Sequence, residues 1–226
     1  MGMAAHIPMN TVRQRMTTTA DILTLSQLLS AAFPVGGFAY SHGLETAISE
    51  GAVTSAVTLE AWLFDLLQCG GGRSDAVLLN AAYAGDATTL DAQARAFAAS
   101  SERLRETDLQ GVAFCQTVKA VWGVDLGRLC YPVAVGKAAA AMTLDPELAT
   151  GMYLQAFTSN LCAAAMRLVP LGQIEGQKVQ TALKPHCAAI AKDCIGATLD
   201  DLHSCAWASD IASMRHETQY SRVFRS

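Results

Sequence analysis

The stretch between Pro146 and Pro170 limits this chain more than any other. Asp145 offers a side-chain acceptor to the free amides of a first helical turn, Pro146 fits the first helical position, and Glu147 suits the positive end of a helix. Beyond them Tyr153, Leu154, Phe157, Leu161, Ala164, Ala165 and Leu168 recur at steps of three and four until Pro170 stops the run. The spacing predicts a long helix reaching about Val169, with one apolar face that other parts of the chain must cover.

Those parts read as more helix. Leu59, Trp62, Leu63, Leu66 and Leu67 keep the same period from Thr58 until Gly70-Gly71-Gly72. Ile22, Leu25, Leu28 and Leu29 keep it over 21–32, with Asp21 as the cap, ended by Pro34, Gly36 and Gly37. Asp75 is placed to cap a helix carrying Val77, Leu78, Ala81 and Ala82, and an alanine-rich helix follows over 86–98. Ser100 or Ser101 caps a long helix whose stripe is Leu104, Val112, Cys115, Val118 and Trp122, with Glu102, Arg103, Arg105 and Glu106 expected to face solvent. Segments 131–142, 173–195 and 208–217 complete the set. No segment alternates with period two between hairpin turns, so no sheet is expected.

Forty of the 226 residues are alanine, half of the chain is apolar, and 16% is charged, which favours closely packed helices. The expectation is all-α: a single compact domain of roughly ten helices over 20–226, with a mobile C-terminal tail (about 213–226). Residues 1–19 read as a flexible N-terminal extension, within which translation could begin at Met16.

Charge and hydropathy narrow the partners. The formal charge is −4 and the basic residues gather only at the two ends, so nucleic acid is not an expected ligand. Mean hydropathy is +0.25, yet no segment holds the 18 or so uninterrupted apolar residues of a membrane span. Seven cysteines without a Cys-x-x-Cys pair, and no charged-then-apolar leader, point to reduced buried thiols in a cytoplasmic protein.

Motifs for chemistry are scarce. Gly136-Lys137-Ala138 lacks the hydroxyl of a phosphate-binding loop and Gly70-Gly71-Gly72-Arg73 lacks its lysine, so nucleotide hydrolysis is not expected. No nucleophile elbow is present, and neither catalytic residues nor a cofactor is expected. His186, Cys194, His203 and Cys205, with Cys187 among them, are soft-metal ligands within one segment. Their spacing matches no zinc module, so a helical metal carrier or enzyme stands as the alternative to core cysteines beside surface histidines.

Three segments carry more information. The first holds Pro34, Gly36, Phe38, Tyr40, Ser41, Gly43 and Glu45, a glycine-bearing loop with two aromatics. By spacing alone it reads equally as a binding loop or as a helix connection in which Phe38 and Tyr40 plug the core and Ser41 caps the helix of Glu45. The second follows Arg167 with Pro170, Gly172, Gln173, Gly176 and Gln177. The third, Arg215-His216-Glu217-x-x-Tyr220-x-Arg222-x-Phe224-Arg225, is dense in residue types that carry binding energy at interfaces.

Together and in this order, these segments resemble the UreF family of urease accessory proteins, from about Ile22 to the end. Val223 stands where that family usually has leucine. The resemblance implies a non-catalytic, all-helical, homodimeric scaffold in nickel insertion into urease. It would act with UreD (also called UreH) and the UreG GTPase, which hydrolyses GTP, on apo-urease. It further suggests a tail that is mobile alone and folds onto UreD/UreH, with Tyr220 and Phe224 as anchors and Arg222 as a bidentate donor. The loop Pro34 to Glu45, with Arg167 and the Gly172-Gln173 turn, would meet UreG or stabilise the dimer.

Overall fold

The structure, a computed structural model, describes residues 16–226; most of the expected extension, including all before Met16, lies outside them. Among the described residues the chain forms ten α-helices and no strand. They are α1 (Thr19–Leu28), α2 (Leu44–Ser49), α3 (Ala56–Cys69), α4 (Gly71–Ala84), α5 (Ala87–Ala96), α6 (Ser101–Trp122), α7 (Tyr131–Ala141), α8 (Pro146–Leu168), α9 (Gln173–Asp193) and α10 (Trp207–His216).

The helix that the two prolines delimit is the axis of the molecule. Asp145 accepts from Leu148 N at 2.7 Å, as its position requires, and α8 touches α1, α2, α3, α4, α7 and α9. Its Leu154 and Leu161 are fully buried with Leu63 and Leu67 of α3, Leu79 of α4, Phe114 of α6 and Leu183 and Ile190 of α9. Each such side chain contributes about 1.5–3 kcal/mol of transfer free energy. The layers α4 and α7 lie very close because Gly136 has no side chain; a Cβ there would collide with the Leu79 carbonyl oxygen.

The Ser100 signal is followed, since Ser100 caps α6, while the helix expected over 86–98 runs as α5 with Asp86 outside it as the cap. Others differ. Thr18, not Asp21, caps α1, and Asp21 sits three residues later, its carboxylate accepting from Thr18 N at 2.8 Å to complete a capping box. The glycines after α3 leave almost no loop, since α4 begins at Gly71, so Asp75 lies inside a helix and is buried. α9 passes through Pro185 without ending; the carbonyl that loses its partner is that of exposed Thr181, where water can replace it.

Two further corrections concern α6 and the tail. Arg103 and Glu106, expected on the solvent face of α6, point inward, with Glu106 almost fully buried. They can do so because Asp75 and Tyr153 from other helices, and His42 from the turn before α2, converge on them. The tail is the second correction: it is not a loose end but lies packed on its own domain, with Phe224 and Ser226 buried.

Candidate partner-binding surface

The tail is held by a clasp whose centre is one carboxylate. Glu45, in the first turn of α2, accepts from Val223 N at 2.7 Å through Oε1 and from Phe224 N at 2.9 Å through Oε2. Its Oε2 also lies 3.2 Å from Nε2 of His216, a residue with no solvent exposure. The other ring nitrogen, Nδ1, lies 2.7 Å from Glu102, whose second oxygen accepts from Arg222 at 2.7 Å. The carboxylates of Glu45 and Glu102 thus flank the imidazole from α2 and α6.

The loop before α2 completes the clasp. Arg225 N donates to Ala39 O at 2.8 Å and Ser41 N donates to Ser226 O at 2.8 Å, so the two segments run as a zipped pair. The Ser41 hydroxyl donates to the same Ser226 oxygen and accepts from Glu45 N. Thr46 donates to Gln219 at 2.8 Å, and the Arg167 guanidinium lies 6.0 Å from the centre of the Phe224 ring. Gly43, at φ 76°, fits only without a side chain, because a Cβ would come within 2.6 Å of Ser213 N on α10. Glu217 accepts from Ser101 N at 2.8 Å, placing a negative charge at the positive end of α6, and this holds its carboxyl below the usual range.

Beneath the clasp lies a buried ion network of which the sequence shows little sign. His42 sits in the left-handed region at φ 53°, a conformation that costs about 1–3 kcal/mol outside glycine, with Nε2 2.9 Å from Glu106 and its ring edge-on to Phe157. Arg103 donates to Asp75 at 2.7 Å and lies 3.5 Å from Glu106, while the Tyr153 hydroxyl donates to Asp75 at 2.7 Å. Burial alone would raise the Glu106 carboxyl; His42 and Arg103 outweigh it and hold the group below its ordinary value. Burial raises the Tyr40 phenol, Glu106 adds to this, and Arg225 opposes it.

The structure therefore brings all three predicted segments to one end of α8, but it divides their residues. Tyr40, Ser41, Gly43, Glu45, His216 and Phe224 are buried parts of the clasp. Of the expected tail anchors, Phe224 fills a site in its own domain and Arg222 is engaged by Glu102, while Tyr220 is fully exposed. Pro34, Phe38, Arg167, Pro170, Gly172, Gln173 and Gln177 are exposed, Gly36 partly so, and Gly176 is buried against Met166. Arg215 meets Glu50 at 3.1 Å in an exposed pair, and Arg225 keeps an exposed side chain. His186 packs edge-on to Phe64, His203 bonds Asp201 O and Cys205 lies beside Cys69, so the metal alternative finds no cluster; among the described residues no three His, Cys, Asp or Glu could hold a metal ion.

On the outside of α10, Trp207, Ile211 and Met214 fall at i, i+4 and i+7 and are all exposed, Trp207 to 69%. Tyr220 and Val223 add further exposed apolar surface just beyond. The sequence showed the tail's aromatics but not this row, whose period is plain only once α10 is known to bury its Ala212 and His216 side.

The comparisons bear on the whole of this surface. A family model described as UreF matches residues 53–184. The urease accessory protein UreF of Roseobacter denitrificans is 52% identical over 220 residues, covering 96% of this chain and 99% of that protein. The chain belongs to the UreF family. The urease accessory proteins UreF of Ruegeria pomeroyi and Paracoccus denitrificans are 51% and 46% identical, over 92% and 93% of the chain. The family model leaves out both the loop at 34–45 and the tail, whereas the relatives are similar over nearly the full length. Among the described residues no helix is long and apolar enough to cross a membrane.

Proposed function

We propose that this UreF-family chain is a non-catalytic scaffold for assembly of the urease nickel centre, working as a cytoplasmic homodimer. It joins UreD/UreH to the UreG GTPase, so that GTP hydrolysis by UreG is coupled to nickel delivery into apo-urease. The observation that carries this is the outward row of Trp207, Ile211 and Met214, continued by Tyr220 and Val223, next to a tail already fixed in place. Large exposed apolar and aromatic side chains at helical spacing fit a protein partner better than water.

In this reading α10 and the tail meet UreD/UreH as a preformed surface, which lowers the ordering cost of association. The exposed Phe38, Arg167 and the turn from Pro170 to Gln173 form a second face at the end of α8, suited to UreG or to the second copy. The test is co-purification of the full chain with UreD/UreH and UreG from the same urease operon. The double variant Trp207→Asp, Ile211→Asp should keep its helical circular dichroism and lose UreD/UreH. Undiminished recovery of the complex would refute the α10 assignment.

A further inference from the structure

Cys69 ends α3 and Cys205 lies in the loop that leads into α10, far apart in sequence but side by side in the fold. Cys205 N donates to Cys69 O at 2.7 Å, and a Cβ at Gly70 would meet the Ala206 methyl at 2.9 Å. A backbone hydrogen bond of this kind sets the two Cα atoms roughly 5–6 Å apart, within the range a disulfide spans. The proximity of Cys205 is the main cause that raises the Cys69 thiol above its ordinary range, followed by burial. Cys205 is exposed and Cys69 partly so, while Cys115, Cys130, Cys162, Cys187 and Cys194 are buried.

We propose that Cys69 and Cys205 are a redox-active pair that closes to an intrachain disulfide by exchange with a small-molecule disulfide of the glutathione type. The exposed Cys205 thiolate attacks one sulfur of that disulfide and expels a thiolate, leaving a mixed disulfide on Cys205. The Cys69 thiolate then attacks the Cys205 sulfur and expels the second thiolate. The two cysteine protons pass to the two expelled thiolates, so the pair loses two electrons and the small disulfide gains them. The new bond ties the start of α10, and with it the row beginning at Trp207, to the end of α3. Buried thiols elsewhere are shielded from the same attack.

The experiment treats the folded full chain with oxidised glutathione, blocks free thiols with an alkylating agent, and maps peptides without reduction. The expected result is loss of two of the seven thiols, a peptide pair joined through Cys69 and Cys205, and a chain that stays monomeric on a denaturing non-reducing gel. Cys69→Ser should instead accumulate a glutathione adduct at Cys205, and Cys205→Ser should leave Cys69 largely free. A stable adduct on Cys205 in the unaltered chain, a disulfide between two chains, or seven unreacted thiols would each overturn the pairing.

Discussion

The last twenty residues have two sides. Toward the domain, His216, Phe224 and Ser226 are buried, and the Glu45 carboxylate accepts from two backbone amides and faces an imidazole. Toward solvent, Trp207, Ile211, Met214, Tyr220 and Val223 touch little. Residue types that mark interfaces are on both sides, so composition alone does not tell a folding anchor from a partner anchor. The difference lies in which groups already have partners: the inner side is satisfied and contributes stability, while the outer side has surface to spare.

The largest test of that division is Glu45→Ala, which leaves the Val223 and Phe224 amides without their acceptor and the buried His216 ring with Glu102 alone. It should destabilise the protein by about 3–5 kcal/mol in urea unfolding. A loss below about 1 kcal/mol would show the clasp to be incidental. Gly43→Ala comes next, because it places a methyl against α10 and forces alanine into the left-handed region. A loss of about 2–3 kcal/mol is expected, seen as a lower thermal midpoint.

Glu106→Gln should cost about 1–2 kcal/mol at neutral pH and alter the acid response. Because the folded carboxyl titrates below its ordinary 4.5, its contribution is fully present above that value and is lost as pH falls through the lower folded value. Unfolding curves collected between pH 7 and pH 3 should therefore fall less steeply with acid in the variant. Equal slopes would remove Glu106 as a source of acid sensitivity.

On the outer side the effect on stability should nearly vanish. Trp207→Asp and Tyr220→Ala should each change it by about 0.5 kcal/mol or less. In titrations of UreD/UreH, Trp207→Asp should weaken binding by more than about tenfold, Tyr220→Ala by less. A Trp207 variant that unfolds, or one that binds normally, would erase the contrast between the two sides.

Much of the helical order was legible in the sequence because the signals are local. The Asp145-Pro146 start, the stripe of α8, the Ser100 cap and the Tyr131 start of α7 each depend on a few neighbouring residues. Asp21 and Asp75 misled for the same reason: aspartate favours helix starts, but Thr18 claimed the cap of α1, and Asp75 is held inside α4 by Arg103 and Tyr153. The polar face expected for Arg103 and Glu106 failed because charge is a poor guide to exposure once a partner of opposite sign comes from a distant helix. An i, i+3 pair of Arg and Glu in a weakly charged chain was the available hint.

The three family segments were legible as residues but not as an arrangement. Their types and order were enough for the family, since each is a short pattern read along the chain. That Phe224 packs under Arg167 while Tyr220 does not, that His216 sits between Glu45 and Glu102, and that Cys69 meets Cys205 were decided only by the packing of α2, α3, α6 and α10. Periodicity and capping act within a few residues, so the sequence determined the helices, the fold class and the family. Burial and charge pairing act between segments far apart in the chain, and only tertiary structure could decide which side of the tail is anchored and which is left for a partner.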